Sequence, residues 1–83
     1  MPPYFTKRID TIQGYINFHF HRIYTIAGVR YHVSCVDKSY NVYMFSMVEL
    51  LGQWQFTLNS QFPKWIESLE SAFQSAIAEN VSQ

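Results

Sequence analysis

Residues 63–80 form the one long segment with a helical hydrophobic period, and that segment restricts the folds open to the chain. Its apolar side chains recur at spacings of three and four, namely Trp65, Ile66, Leu69, Ala72, Phe73, Ala76 and Ile77. Polar residues such as Glu67, Glu70 and Gln74 fill the opposite side. This pattern predicts a C-terminal amphipathic α-helix, which needs a second surface to bury its apolar stripe.

The hydrophobic period changes to two in the residues that precede the helix. Apolar and polar side chains alternate along four segments, residues 15–26, 29–36, 40–48 and 53–58. Alternation of this kind is typical of half-buried strands. The connecting stretches are short and polar or contain glycine, as hairpin loops do. We therefore predict an α+β fold, a four-stranded antiparallel β-meander with the helix packed on one face, as a single domain over residues 1–83.

The predicted loops also set the cross-strand partners. A two-residue loop at 27–28 places Tyr24 opposite Tyr31, and a three-residue loop at 37–39 places Tyr31 opposite Phe45. With a four-residue loop at 49–52, these registers put nearly every large apolar side chain on one face. Since a one-residue slip would reverse the faces, this agreement supports the meander.

Arg22 is the exception among the apolar side chains of the predicted inner face. Arginine can bury its aliphatic stem while its charged head reaches water. We expect this arrangement at the edge of the sheet. The alternative is a functional arginine at the mouth of a pocket.

The first residues of the chain, 4–13, are predicted to form a short helix. Phe5, Ile9 and Ile12 follow a helical spacing, and prolines precede them. A strand would instead put Lys7 on the same face as Phe5 and Ile9, which is poor alternation.

The composition limits the class of protein. The 83 residues are 48% hydrophobic and 18% aromatic, which gives a small domain a core and excludes disorder. Six basic and six acidic residues balance, which argues against a strong phosphate-binding surface. Cys35 is the only cysteine, so no disulfide forms within the chain. Without a signal-like start or a membrane-spanning apolar run, a soluble cytoplasmic protein that does not bind membranes is expected.

Function is expected on the face of the sheet that the helix leaves uncovered. The predicted interaction face consists of His21, Ile23, Arg30, His32, Tyr40, Val42 and Met44. It has fewer charges than a solvated face, and the segment 42–48 would be prone to aggregate if it stayed exposed. We therefore predict a small non-enzymatic interaction domain that forms a homodimer through this face. Another protein is the alternative partner.

Three histidines share that face, His19, His21 and His32, and histidine is a common metal ligand. No carboxylate or cysteine is predicted beside them, because Cys35 points into the core. A half-solvated polar surface is therefore favoured, with metal or small-ligand binding as the alternative. The sequence lacks a glycine-rich phosphate loop, HExxH, CxxC and a nucleophile elbow, so neither an enzyme nor a cofactor is predicted.

The predicted order of four strands and a helix resembles that of the PUR and Whirly domains, which bind single-stranded nucleic acid as dimers or repeats. The resemblance is in element order alone. It implies that Tyr40, Arg30 and His32 could stack on bases and contact phosphates. The balanced charge argues against this alternative.

Overall fold

Among the residues that the structure describes, five strands form one antiparallel sheet in which each strand pairs with the next along the chain. The computed structural model describes residues 3–57 and 60–82. The strands are β1 (Tyr4–Thr11), β2 (Gly14–Thr25), β3 (Gly28–Val36), β4 (Val42–Leu50) and β5 (Gln53–Phe56). Two helical segments follow, α1 (Lys64–Glu67) and α2 (Glu70–Val81). The predicted α+β class, with an antiparallel sheet and a C-terminal helix, is confirmed, whereas the strand number of four is wrong.

The additional strand is β1, where a short helix was predicted. It pairs with β2 along its whole length, from Tyr4 opposite His21 to Thr11 opposite Gly14. Its inward face includes Lys7, which the alternation counted as polar. The lysine stem lies on the buried side while its ammonium reaches the surface of α2, so the alternation is that of a strand. Because five strands precede the helices, the element order no longer resembles that of the PUR and Whirly domains.

The hairpin registers differ from the predicted ones by two residues. Tyr31 pairs with Arg22 and Met47, rather than with Tyr24 and Phe45. The hairpin into β5 has the same offset. Since the offset is even, every side chain of these strands keeps its predicted face. The predicted end of the last strand, residue 58, lies outside the described residues.

Turn geometry accounts for the offset. Leu51 and Gly52 both have positive φ, 53° and 81°, and close the β4–β5 hairpin in two residues rather than four. Two successive left-handed residues match the twist of the strands that they join. The β2–β3 turn lies at residues 26–27 rather than 27–28, and Gly28 begins β3 with φ of 124°.

The turn between β3 and β4 spans residues 37–41 and is built around the buried carboxylate of Asp37. This carboxylate accepts hydrogen bonds from the backbone N–H of Ser39 (2.8 Å) and Asn41 (2.9 Å). The Asn41 amide (3.1 Å) and the Tyr43 hydroxyl (3.3 Å) also donate to it. Burial acts to raise the pKa of Asp37, but these hydrogen bonds outweigh burial and lower the pKa below its ordinary value. The ionised carboxylate therefore holds a longer turn than the predicted three residues.

The core lies between the inner face of the sheet and the helices. Phe73 of α2 is fully buried, with ring centroids 4.9 Å from Phe18 and 5.3 Å from Phe45. Cys35 is buried in the same cluster, as the sequence predicts. In the described residues, no helix combines the length and the apolar character that crossing a membrane requires.

Polar side chains of α2 cover the outer edge of β5. Glu70 Oε2 accepts a hydrogen bond from the Phe56 N–H (3.2 Å), and Gln74 Nε2 donates to the Trp54 carbonyl (2.6 Å). Both side chains were expected on the solvent side of the helix, and both are half-buried instead. They satisfy backbone groups that an edge strand would otherwise offer to another chain.

Candidate functional site

The side of the sheet away from the helices, here called the outer face, has a polar centre. Two cross-strand rows form this centre, Thr6–His19–Ser34–Met44 and Tyr4–His21–His32–Ser46. A shallow concavity of about 460 Å³ lies over both rows. The rows carry hydroxyl and imidazole groups but no aspartate, glutamate, lysine or arginine.

Two of the three histidines already contact other side chains of the protein. The Tyr4 ring stacks on His21 with a centroid distance of 4.1 Å and an interplanar angle of 18°. His19 Nδ1 lies 2.9 Å from Thr6 Oγ1. His21 and His32 are directly opposite each other on β2 and β3, closer than the diagonal placement that the sequence predicts. The centre of the face thus contains one stacked ring pair and one imidazole–hydroxyl contact.

The described residues offer no metal centre around these histidines. Among them, no group of three or more histidine, cysteine or acidic side chains has an arrangement that could hold a metal ion. In the described part of the chain, His21 and His32 are cross-strand neighbours, but they do not form a metal-binding group with a third side chain of these types.

An apolar corner adjoins the centre at the β3–β4 end. Val36 and Val42 are directly opposite each other, and their exposed fractions are 49% and 64%. Met44, beside Ser34 in the central row, is 72% exposed. Contiguous exposed apolar side chains of this kind usually mark a contact surface.

The other predicted face residues lie in two places. Ile23 is opposite Arg30, and Arg30 is opposite Val48, so these three form a half-buried row at the far side of the centre. The sequence predicts that Tyr40 begins the third strand, but this prediction is wrong. Tyr40 lies in the 37–41 turn with φ of 66° and is 88% exposed, beyond the end of the sheet.

Strand β1 contributes face residues that the sequence reasoning missed. Tyr4, Thr6 and Arg8 all lie on the outer face of this strand. The Arg8 guanidinium carbon is 4.7 Å from the centre of the Tyr15 ring. The sequence signal that could have found these positions is the alternation of inward and outward residues in 4–11. It becomes visible only when Lys7, with its apolar stem, is counted as an inward residue.

Cys35, the only cysteine of the sequence, is buried and has a raised pKa. Burial, followed by the nearby charge of Asp37, raises the pKa of Cys35 to about 11. A thiol with such a pKa is protonated at neutral pH, and only the thiolate attacks electrophiles.

Comparison of the chain with protein-family models, curated proteins and solved structures gives no match.

Proposed function

We propose that this protein is a small non-enzymatic binding domain that forms a homodimer by packing the outer faces of two copies against each other. The observation that carries the proposal is the exposed apolar corner of Val36, Val42 and Met44, which is continuous with an uncharged centre. Removing that corner from water on association is favourable, at roughly 25 cal/mol per Å² of apolar surface.

The edges of the sheet are poor routes for association. Glu70 and Gln74 bind backbone groups of β5, as described above. On β1 the inward-pointing Lys7 is a charge that a continuing sheet would have to bury, a common protection of edge strands. Association through the face, rather than by strand addition, fits both features.

The residue types of the outer face resemble those of protein interfaces. Tyrosine, methionine and arginine are enriched in interfaces, whereas acidic residues are depleted. Tyr4, Tyr15, Met44 and Arg8 supply the first three types. On the strands, among the described residues, Asp10 is the one acidic residue of this face.

The size of the face is close to that of one side of a standard interface. Five strands about 4.8 Å apart, with a mean length of about eight residues that each rise about 3.3 Å, give an area of roughly 670 Å². A standard interface buries about 800 Å² on each partner. The whole face, polar centre included, must therefore take part, and a two-fold axis would place the same surface on both copies.

Sedimentation equilibrium of the wild type and of Met44→Glu tests this proposal. We expect a dimer for the wild type and a monomer, or weaker association, for the variant, because a buried unpaired carboxylate is costly. Ile26→Glu makes the same change at a hairpin tip, on a fully exposed side chain, and is the matched control. A wild-type protein that stays monomeric at millimolar concentration would falsify the proposal, as would equal effects of the two variants.

Single-stranded nucleic-acid binding on the same face is the second candidate, and aromatic and basic side chains of β1, β2 and β3 provide a specific observation for it. Tyr4 and Tyr15 are exposed aromatic rings, and Arg8 and Arg30 lie on the same face. Exposed rings beside cations can stack bases and contact phosphates. Fluorescence anisotropy with a labelled oligothymidine should then show salt-sensitive binding that Tyr15→Ala weakens, and absence of binding at low salt excludes this candidate.

A further inference from the structure

One corner of the inner face is not covered by the helices. There the β2–β3 turn, the β4–β5 turn and the last turn of α2 surround a cleft of about 630 Å³. Small-molecule sites have volumes of about 300–1,000 Å³ and are lined mainly by apolar and aromatic groups. The apolar lining here consists chiefly of Tyr24, Val29, Tyr31, Trp54, Ala78 and Val81.

The floor of the cleft is fixed by contacts within the protein. Tyr31 is fully buried, and its hydroxyl accepts a hydrogen bond from Asn80 Nδ2 at 3.2 Å. Trp54 packs edge-on against the Tyr31 ring, with a centroid distance of 5.1 Å and an interplanar angle of 79°. Tyr24 and Val81 are largely exposed and stand at the opening. An entering molecule would therefore meet the half-buried Trp54 ring, which the buried Tyr31 ring holds in place from behind.

Arg22 brings a positive charge into this apolar lining. It lies directly opposite Tyr31 on the inner face, and its guanidinium carbon is 5.4 Å from the centre of the Tyr24 ring. A guanidinium beside aromatic rings is well suited to bind a carboxylate with two parallel hydrogen bonds. Of the two alternatives for Arg22, snorkelling at the sheet edge and a place at a pocket, the structure shows that the residue lines this cleft.

The rest of the lining favours a single negative charge over a phosphate. The cleft includes Glu49, which lies two strands across and two residues along from Arg22, and therefore about 12 Å away. It also includes Ala78, Val81 and Ser82 at the C-terminal end of α2, which is the negative end of a helix dipole. Both features repel negative charge, and they repel a dianion more strongly than a single carboxylate.

We propose that this cleft binds a small apolar monocarboxylate. The carboxylate contacts the Arg22 guanidinium, and the apolar body lies against Trp54, Val29 and Tyr24. This site is on the opposite side of the sheet from the outer face, so it does not depend on dimer formation.

Octanoate and its uncharged analogue octanamide are suitable probes, because neither absorbs where tryptophan does. Trp54 lines the cleft, whereas Trp65 packs against Tyr43 elsewhere, so Trp65→Phe leaves Trp54 as the reporter. In that background we expect saturable changes of Trp54 fluorescence with octanoate and about tenfold weaker binding of octanamide, as for loss of one hydrogen bond to a charged group.

Two variants give opposite predictions. Arg22→Gln should bring octanoate binding down to that of octanamide. Glu49→Gln should strengthen octanoate binding, because it removes a like charge. This test does not depend on whether the Arg22 variant folds. Lys64→Gln, which removes an exposed charge on α1, should change neither affinity.

Three results would overturn the proposal. These are equal binding of octanoate and octanamide to the wild-type cleft, no response of Trp54 to either probe, and weaker octanoate binding in Glu49→Gln. The oligomeric state, measured on the same samples, reports separately on the outer face.

Discussion

Lys7 Nζ lies 3.1 Å from Glu79 Oε2, and this ion pair joins the edge strand β1 to the helix α2 across 72 positions of sequence. Both side chains remain largely exposed, at 44% and 61%. The stem of Lys7 and its charge therefore have separate roles. The stem completes the inward face of β1, and the charge lies at the margin where sheet and helix meet.

The first prediction separates these two roles. Lys7→Met keeps the stem and removes the charge, so we expect a change of less than about 1 kcal/mol in the free energy of unfolding, as for an exposed ion pair. Urea denaturation followed by circular dichroism measures it, with Lys64→Met as the control. A loss above about 2 kcal/mol would show that the ion pair, rather than the stem, holds β1 in place.

The faces of the strands could be predicted from the sequence, but the cross-strand partners could not. Alternation assigns each side chain to a face, and a register error of two residues leaves that assignment unchanged. The partners depend on where each turn closes. Leu51 adopts a left-handed conformation, with φ of 53°, which its residue type does not signal. The hydrogen bonds that extend the Asp37 turn are likewise invisible in a pattern of apolar and polar letters.

Some residues of the outer face and of the cleft were not predicted from the sequence, for a reason other than the position of the turns. The predicted interaction face does not include Tyr4, Thr6 and Arg8, because the alternation test counts Lys7 as a polar residue. That count favours a helix over a strand for residues 4–13. The cleft around Arg22 depends on which corner of the sheet α2 leaves open. Amphipathic spacing predicts that a helix packs on the sheet, but it does not fix where along the strands the helix ends.

The second prediction concerns Phe73, the central contact between α2 and the sheet. Phe73→Ala should lower the free energy of unfolding by about 3–5 kcal/mol, because it leaves a cavity among Phe18, Phe45 and Phe56. The whole free energy of unfolding of a small domain is about 5–15 kcal/mol. Thermal unfolding of the variant should therefore begin near ambient temperature, or the chain should fail to fold. Leu51→Ala, at a fully exposed turn position, should leave the midpoint nearly unchanged. Equal midpoints for the two variants would contradict the burial of Phe73.

The third prediction concerns pH and the Asp37 turn. Because the folded-state pKa of Asp37 is lowered, its ionised form stabilises the fold above the ordinary value of 3.8 and loses this effect as pH falls through the folded-state pKa. The side chain of Asp37→Asn does not ionise. Its amide group also brings donor hydrogens close to the Asn41 amide and the Tyr43 hydroxyl, which donate to the carboxylate in the wild type. We expect the variant to melt lower than the wild type at pH 7, with a gap that narrows below about pH 4. A gap independent of pH from 7 to 2 would show that the charge of Asp37 is not what holds the turn.

The fourth prediction concerns the access and the protonation of Cys35. With a pKa of about 11 and a buried sulfur, the folded thiol should react with iodoacetamide at pH 8 far more slowly than the same thiol in urea-unfolded protein. Mass spectrometry over time measures both rates. Rapid labelling of the folded protein would contradict the buried position of this thiol.

The last prediction tests whether β1 belongs to the association surface. Tyr4 is exposed and stacks on His21, so Tyr4→Ala removes contact area from the outer face without opening the core. If the packed outer faces include β1, the Tyr4 ring becomes buried on association, and its loss should weaken dimerisation by about tenfold or more. The melting point of the dilute protein should change little, because an exposed ring contributes little to the core. Ile12→Ala, at the exposed β1–β2 turn, should leave dimerisation unaltered. Unchanged association in Tyr4→Ala, with weaker association in Met44→Glu, would confine the interface to the β3–β4 side and exclude β1 from it.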